Sequence, residues 1–435
     1  MKTDQTNLRS FIDHQKMTFL QYSTILLCFI MNMLDGMDVL VIAFTASSIS
    51  AEWDIGPQAL GWVFSAAVIG MTMGALFLAP QGDRIGRKKM ILICASIMGV
   101  SILATSFASN VSWLVVYRFL SGLGIGGMLA SVSTLTSEYA PNRSKDFWVT
   151  LVMGGYPIGA VFSGLVAAEI IPNFGWRAMF QFAGIATLVT IPLILFFMVE
   201  SLDFLVKRRP ANALQKVNRI LARMRIEELN VLPLLERIGK PGSVTTLFRG
   251  ELKKQTIMIW ISFFMAFATL YFLLSWIPKL TTEAGLSERL GIYSGTVFNV
   301  GSFIGAFTAG SLAIRFGLKR MILIFMILAT FFMSVFGFFS GSSGVLIMFG
   351  LVGFGMQGGF NALYPVAARL YPPEIRTTGV GWCIGAGRLG AVIGPIAAGY
   401  LIGAGVSIGM NFIIFAVPCL VSGIVVYLIK SDNLS

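Results

Sequence analysis

Long apolar stretches separated by short polar turns set the pattern of the chain. They fall near 18–47, 58–80, 89–108, 111–137, 148–170 and 176–199. After a polar stretch they resume near 255–278, 292–314, 320–339, 343–369, 377–401 and 407–429. Each can supply the roughly 20 residues of helix that cross a hydrocarbon layer ~30 Å thick. The pattern therefore predicts an all-α membrane protein with about twelve transmembrane helices. Most connections are short, so neighbouring helices should run antiparallel. The expected organisation is a six-helix bundle over 1–199, a linker over 200–254 and a second six-helix bundle over 255–435. Lys207-Arg208-Arg209 and the Arg219–Arg225 stretch suggest a solvated, membrane-facing linker with some amphipathic helix.

Composition supports this reading. The chain of 435 residues is 56% hydrophobic with a mean hydropathy of +0.81, and 12% of it is charged. An ordinary soluble domain carries roughly 25% charged residues. A net charge of +12 could suggest nucleic acid, but its distribution argues otherwise. Of the 32 Lys and Arg residues, 27 lie in alternate connections, three (Arg177, Lys279, Arg289) in the opposite set, and Arg118 and Arg388 within apolar runs. That bias places both termini and the linker in the cytoplasm. It makes membrane lipids the expected contact of the basic residues and excludes nucleic acid.

The two halves repeat. At an offset of 231 positions Arg84-Ile85-Gly86 falls on Arg315-Phe316-Gly317, Gly122-Leu123-Gly124 on Gly353-Phe354-Gly355, and Gly159-Ala160-Val161 on Gly390-Ala391-Val392. A duplicated six-helix unit is the architecture of a transporter that rocks about a site between its halves, near mid-membrane.

Buried polar residues locate candidate chemistry. Asn32, Asp35 and Asp38 recur along one face of the first span, with Gly36 between the acids. Two carboxylates this close in low dielectric repel, and binding a proton relieves the repulsion. They are the candidates for proton coupling. Arg118, in the fourth span, needs a buried carboxylate, and Asp35 and Asp38 are the acids available to it. Arg388 stands among Gly385, Gly387 and Gly390 in the eleventh span, with no acid in any C-terminal span. It invites either a substrate carboxylate held by the guanidinium fork or a pairing across the halves with Asp35 or Asp38. Asn32, Tyr156, Tyr271, Trp276, Asn299, Gln357, Asn361 and Tyr364 are candidates for the remaining contacts.

Several chemistries are excluded. The sole histidine, His14, precedes the first span, so a histidine relay inside the membrane is ruled out. Cys28, Cys94, Cys383 and Cys419 show neither metal nor disulfide spacing. Phosphate-loop context is missing from the glycine-rich runs. No metal or cofactor is expected, and the proton gradient is the candidate energy source. In the turn after the second span, Asp83 can face another helix N-terminus, while Arg84 and Arg87 can bridge to Glu138 as a cytoplasmic gate.

Asp83-Arg84-Ile85-Gly86-Arg87-Lys88, its echo at Arg315–Arg320, and Arg118 followed by Gly122, Gly124 and Gly126 resemble the motifs of the major facilitator superfamily. Ala79 and Ile314 depart from its pattern, and the glycine-proline motif of drug antiporters is replaced by Tyr156-Pro157-Ile158-Gly159. Asp35-Gly36-Met37-Asp38, Ser137-Glu138-Tyr139, Tyr271–Pro278, Ala368–Pro372 and Gly387–Gly390 are similar to the aromatic acid:proton symporters. The resemblance implies uptake of benzoate, hydroxybenzoate or muconate with protons, by a monomer in the bacterial inner membrane. It assigns roles to Asp35, Asp38, Asp83 and Arg388. The rival readings are a proton-coupled exporter of drugs or aromatic metabolites, and a receptor that binds an organic acid without carrying it. A membrane-embedded enzyme is disfavoured, since no nucleophile–base pair is visible within the spans.

Overall fold

A computed structural model describes residues 17–232, 244–336, 342–372 and 375–429. His14, the rest of the N-terminal tail and Arg237 and Lys240 of the linker lie outside the described residues. Among the described residues every regular element is helical.

The N-terminal half comprises α1 (Phe19–Trp53), α2 (Pro57–Met73), α3 (Arg87–Thr105), α4 (Val111–Tyr139) and the long helix Gly155–Phe197. That last helix breaks at Gly175 (φ 80°, ψ 167°) into α5 (155–174) and α6 (176–197). A short helix, Lys145–Met153, leads into α5. The linker carries α7 (Leu202–Arg208) and α8 (Ala213–Arg223). The C-terminal half contains α9 (Glu251–Glu283), α10 (Glu288–Phe316), α11 (Leu318–Val335), α12 (Ser342–Leu370), α13 (Arg376–Gly403) and α14 (Ile408–Tyr427). Among the described residues, eleven continuous helical stretches are long and apolar enough to cross a membrane, and the Gly175 break turns one of them into two crossings. The architecture is thus the twelve-helix arrangement expected from the apolar runs.

The duplication extends to atomic contacts. Gly86 (φ 107°) and Gly317 (φ 82°) reverse the chain in related turns, where a side chain would strain the backbone. Added carbon at Gly122 would meet the carbonyl of Ala67, and at Gly353 that of Phe298. Gly159 sits likewise against Met33, and Gly390 against Phe264. Both contacted pairs, Ala67/Phe298 and Met33/Phe264, keep the 231-residue offset of the glycines. Close helix approach through small residues substitutes for the hydrophobic drive that lipid cannot provide.

The halves meet on the face opposite the linker. There Gly61 abuts Pro395, Gly399 abuts Pro57, and the Ser65 hydroxyl donates to the Val392 carbonyl at 2.7 Å. Gly164 lies against Thr296 and Gly295 against Phe44. The Ser48 hydroxyl bonds to Glu288, and Arg289 pairs with Glu169, so α10 is tied to both α1 and α5. A side-chain carbon on Gly310, Gly381 or Gly385 would find open space.

Candidate functional site

Between the halves, α1 and α5 of one bundle face α9, α12 and α13 of the other. The α1 side is built around a helix break. The short helix Lys145–Met153 ends at Gly154, beside the carbonyls of Val152 and Met153. The Asn32 amide donates to both, at 2.8 and 3.1 Å. One turn further on, Gly36 has no room for a side chain because the Tyr156 carbonyl occupies that place. This contact sets Tyr156 beside the acids.

Asp38 and Arg118 are wholly buried and paired. Arg118 Nη1 donates to Asp38 Oδ1 at 2.6 Å, and Nη2 donates to the Asp38 backbone carbonyl at 3.1 Å. The structure thereby assigns Arg118 to the second of the two carboxylates. Asp35, 3% exposed, keeps one carboxylate oxygen without a hydrogen-bond partner among the described residues.

Across the interface, Arg388 Nη1 is buried and likewise unpartnered among the described residues. The guanidinium lies within electrostatic reach of Asp35, Tyr156, Tyr271 and Tyr364. Beside it stands a wall of rings. Phe267 stacks on Tyr271 (centroids 6.1 Å) and meets Phe360 edge-on at 4.8 Å. Tyr364 closes the set against Phe360 (5.8 Å) and Phe263 (5.4 Å). Gly387 makes room for the Phe267 ring next to Arg388. The spacing of Phe263, Phe267 and Tyr271, and of Phe360 and Tyr364, is one helical face each. That regularity was the available signal for the phenylalanines, which are ordinary filler in so apolar a chain.

The other candidates take different positions. Trp276 is buried where the halves touch, donating to the Pro395 carbonyl at 3.1 Å and lying edge-on to Phe64. Asn299 donates to the Gly295 carbonyl one turn back. Gln357 donates to Asn361 at 3.0 Å, and Asn361 shares with Arg369 a cavity of about 280 Å³ between α10 and α12.

At the linker face, Asp83 pairs with Arg87 at 2.5 Å within its own turn, and Arg84 is exposed. The expected bridges from Arg84 and Arg87 to Glu138 are not made in this arrangement. Glu138 is buried beside Ser201 and Asp203 at the start of α7, with Arg87 within electrostatic reach. Glu200, which the sequence did not single out, accepts from the backbone N–H of Lys88 at 3.0 Å and fills the space at Gly86. The linker is thereby tied to the turn.

An acid and a guanidinium, each with an atom unpartnered among the described residues, lie on the two halves of a duplicated six-helix membrane fold, the arrangement of a carrier of the rocking type. The chain belongs to the major facilitator superfamily, whose family model matches residues 28–309 and 292–433. Within it, the chain is 34% identical to the 4-hydroxybenzoate transporter PcaK of Pseudomonas putida, over 92% of this chain and 90% of that protein. It is 30% identical to the benzoate transport protein of Acinetobacter baylyi, over 99% and 94%, and 31% identical to a gallate transporter of Pseudomonas putida, over 97% and 94%. The fold is similar to that of a solved D-xylose-proton symporter, with a TM-score of 0.75 at 17% identity over 95% of this chain and 98% of that one.

Proposed function

We propose that the protein imports a small aromatic carboxylate together with a proton, across the bacterial cytoplasmic membrane, with both termini and the linker inside. The names and organisms of the relatives support the substrate class and the membrane, and the basic alternate connections support the orientation. On that orientation the contacts between the halves at Ser65–Val392, Ser48–Glu288 and Glu169–Arg289 lie toward the outside.

The observation that carries the reading is a buried guanidinium nitrogen of Arg388 and an oxygen of Asp35, both unpartnered among the described residues and within electrostatic reach of each other. Net charge in low dielectric is costly. With the site empty, ionised Asp35 offsets Arg388. With the acid bound, its carboxylate takes the guanidinium fork, and a proton on Asp35 restores neutrality. A site holding only the anion or only the proton keeps an uncompensated charge. Rocking is then favourable for the empty and the doubly loaded forms, which couples one proton to each monovalent anion. Asp38 and Arg118, already neutral as a pair, hold α1 against α4 and keep Asp35 aimed across the gap.

The repeat supports this division of labour. At the 231-residue offset Asp35, Asp38 and Arg118 correspond to Ala266, Thr269 and Phe349, and Arg388 corresponds to Pro157. One bundle carries the proton machinery and the other the anion site. The test is uptake of a panel of labelled benzoate, hydroxybenzoates and muconate into proteoliposomes with an imposed inward proton gradient. Accumulation of an aromatic acid supports the reading. Proton-driven expulsion, or binding without flux, overturns it.

A further inference from the structure

Three tyrosines converge on the space between Asp35 and Arg388, and their hydroxyls are unspent. Tyr156 comes from α5 of one half, where Gly36 admits its backbone. Tyr271 and Tyr364 come from α9 and α12 of the other, their rings fixed by Phe267, Phe360 and Phe263. All three are partly exposed, and none of the three hydroxyls hydrogen-bonds to another of the described residues. Each phenol lies within electrostatic reach of Arg388, and Tyr271 within reach of both Tyr156 and Tyr364.

A buried tyrosine normally finds a protein partner for its hydroxyl, whereas these three keep partial exposure and are open to a partner from outside the chain. Three left open around one guanidinium form a polar patch with no hydrogen-bond partner for the hydroxyls among the described residues. The phenylalanines of the same wall show that an apolar ring would serve where only packing was needed. The added oxygens therefore have a different use. Resting on the functional reading above, we infer that Tyr156, Tyr271 and Tyr364 form a subsite for hydroxyl groups on the substrate ring, making them the specificity-determining residues of the carrier. Arg388 holds the carboxylate, the Phe267–Phe360 wall takes the ring, and the phenols donate to or accept from its hydroxyls. A site built to hydrogen-bond a hydroxyl discriminates against the analogue that lacks one, because its own polar groups are then left unpaired.

The test compares KM for benzoate with KM for mono- and dihydroxybenzoates in proteoliposomes, for the wild-type protein and for Tyr156→Phe, Tyr271→Phe and Tyr364→Phe. Size-exclusion profiles check that each variant is folded. The expected result is a wild-type preference for a hydroxylated acid that falls roughly five- to tenfold in at least one variant, as the loss of one neutral hydrogen bond implies. The readout is the ratio of the two KM values, whichever way the benzoate value itself moves. Equal changes for both acids in all three variants would mean that the phenols serve the carboxylate or the fold, and would overturn the subsite. A wild-type protein with no preference for hydroxylated rings overturns it as well. Transport of neither acid would instead overturn the reading of function on which the subsite rests.

Discussion

Breaking the Asp38–Arg118 pair should destabilise the N-terminal bundle more than removing both of its charges. Both side chains are 0% exposed, so neither charge has water to fall back on. With charge centres about 4 Å apart and an effective dielectric of about 20, their attraction is about 4 kcal/mol. Asp38→Asn leaves the Arg118 guanidinium against a neutral amide, and such a lone buried charge costs about 3–5 kcal/mol. Arg118→Gln strands the carboxylate at a similar cost. The double variant Asp38→Asn/Arg118→Gln removes both charges and both desolvation penalties, and should recover most of the loss. Thermal or denaturant unfolding of all four proteins in one detergent completes a double-mutant cycle. A strongly favourable coupling energy is expected. Wild-type stability in Asp38→Asn, or losses that simply add in the double variant, would refute the claim that the two groups exist as a mutually compensating buried pair.

Arg388→Lys keeps the charge but loses the planar fork, so KM for the carboxylate should rise roughly ten- to hundredfold in uptake assays; an unchanged KM would remove Arg388 from the site. Gly36→Ala places a carbon on the Tyr156 carbonyl, where backbone cannot yield. It should lower stability by about 1–3 kcal/mol, measured by unfolding, and abolish uptake. Arg289→Ala removes the exposed pair with Glu169 that joins α10 to α5 on the face opposite the linker, the outer face in the proposed orientation. Because an exposed pair is worth about 0.2–1 kcal/mol, labelling of a cysteine placed at Ser163 by an external thiol reagent should rise by no more than about fivefold.

Much of this architecture was legible as pattern. Apolar runs located the crossings, and three glycine matches at one offset located the repeat because close helix contact tolerates nothing larger. The ends were less legible. α1 continues to Trp53 and α9 starts at Glu251, since polar residues beyond the hydrocarbon layer can extend a helix without interrupting it. The polar residues of the site stood out because ionisable groups in lipid are rare. Their partners did not. Periodicity puts Asp35 and Asp38 on one helical face, but only the packing of α4 against α1 decides that Arg118 meets Asp38. The same holds for Glu138, which takes the start of α7 as its neighbour instead of Arg84. The tie of α10 to Ser48 and Glu169, and the Phe267 wall beside Gly387, join residues more than a hundred positions apart.

Proton coupling through Asp35 is the centre of the account, and one comparison tests it most directly. Wild-type protein and Asp35→Asn are reconstituted into liposomes, and uptake of labelled 4-hydroxybenzoate is followed under an imposed inward proton gradient and, separately, as exchange against unlabelled acid inside. The account predicts uphill accumulation by the wild type, driven by the pH gradient and indifferent to an imposed membrane potential. Asp35→Asn should lose accumulation while retaining exchange, because the loaded site stays neutral without a proton to carry. Accumulation by Asp35→Asn at the wild-type level would contradict the account.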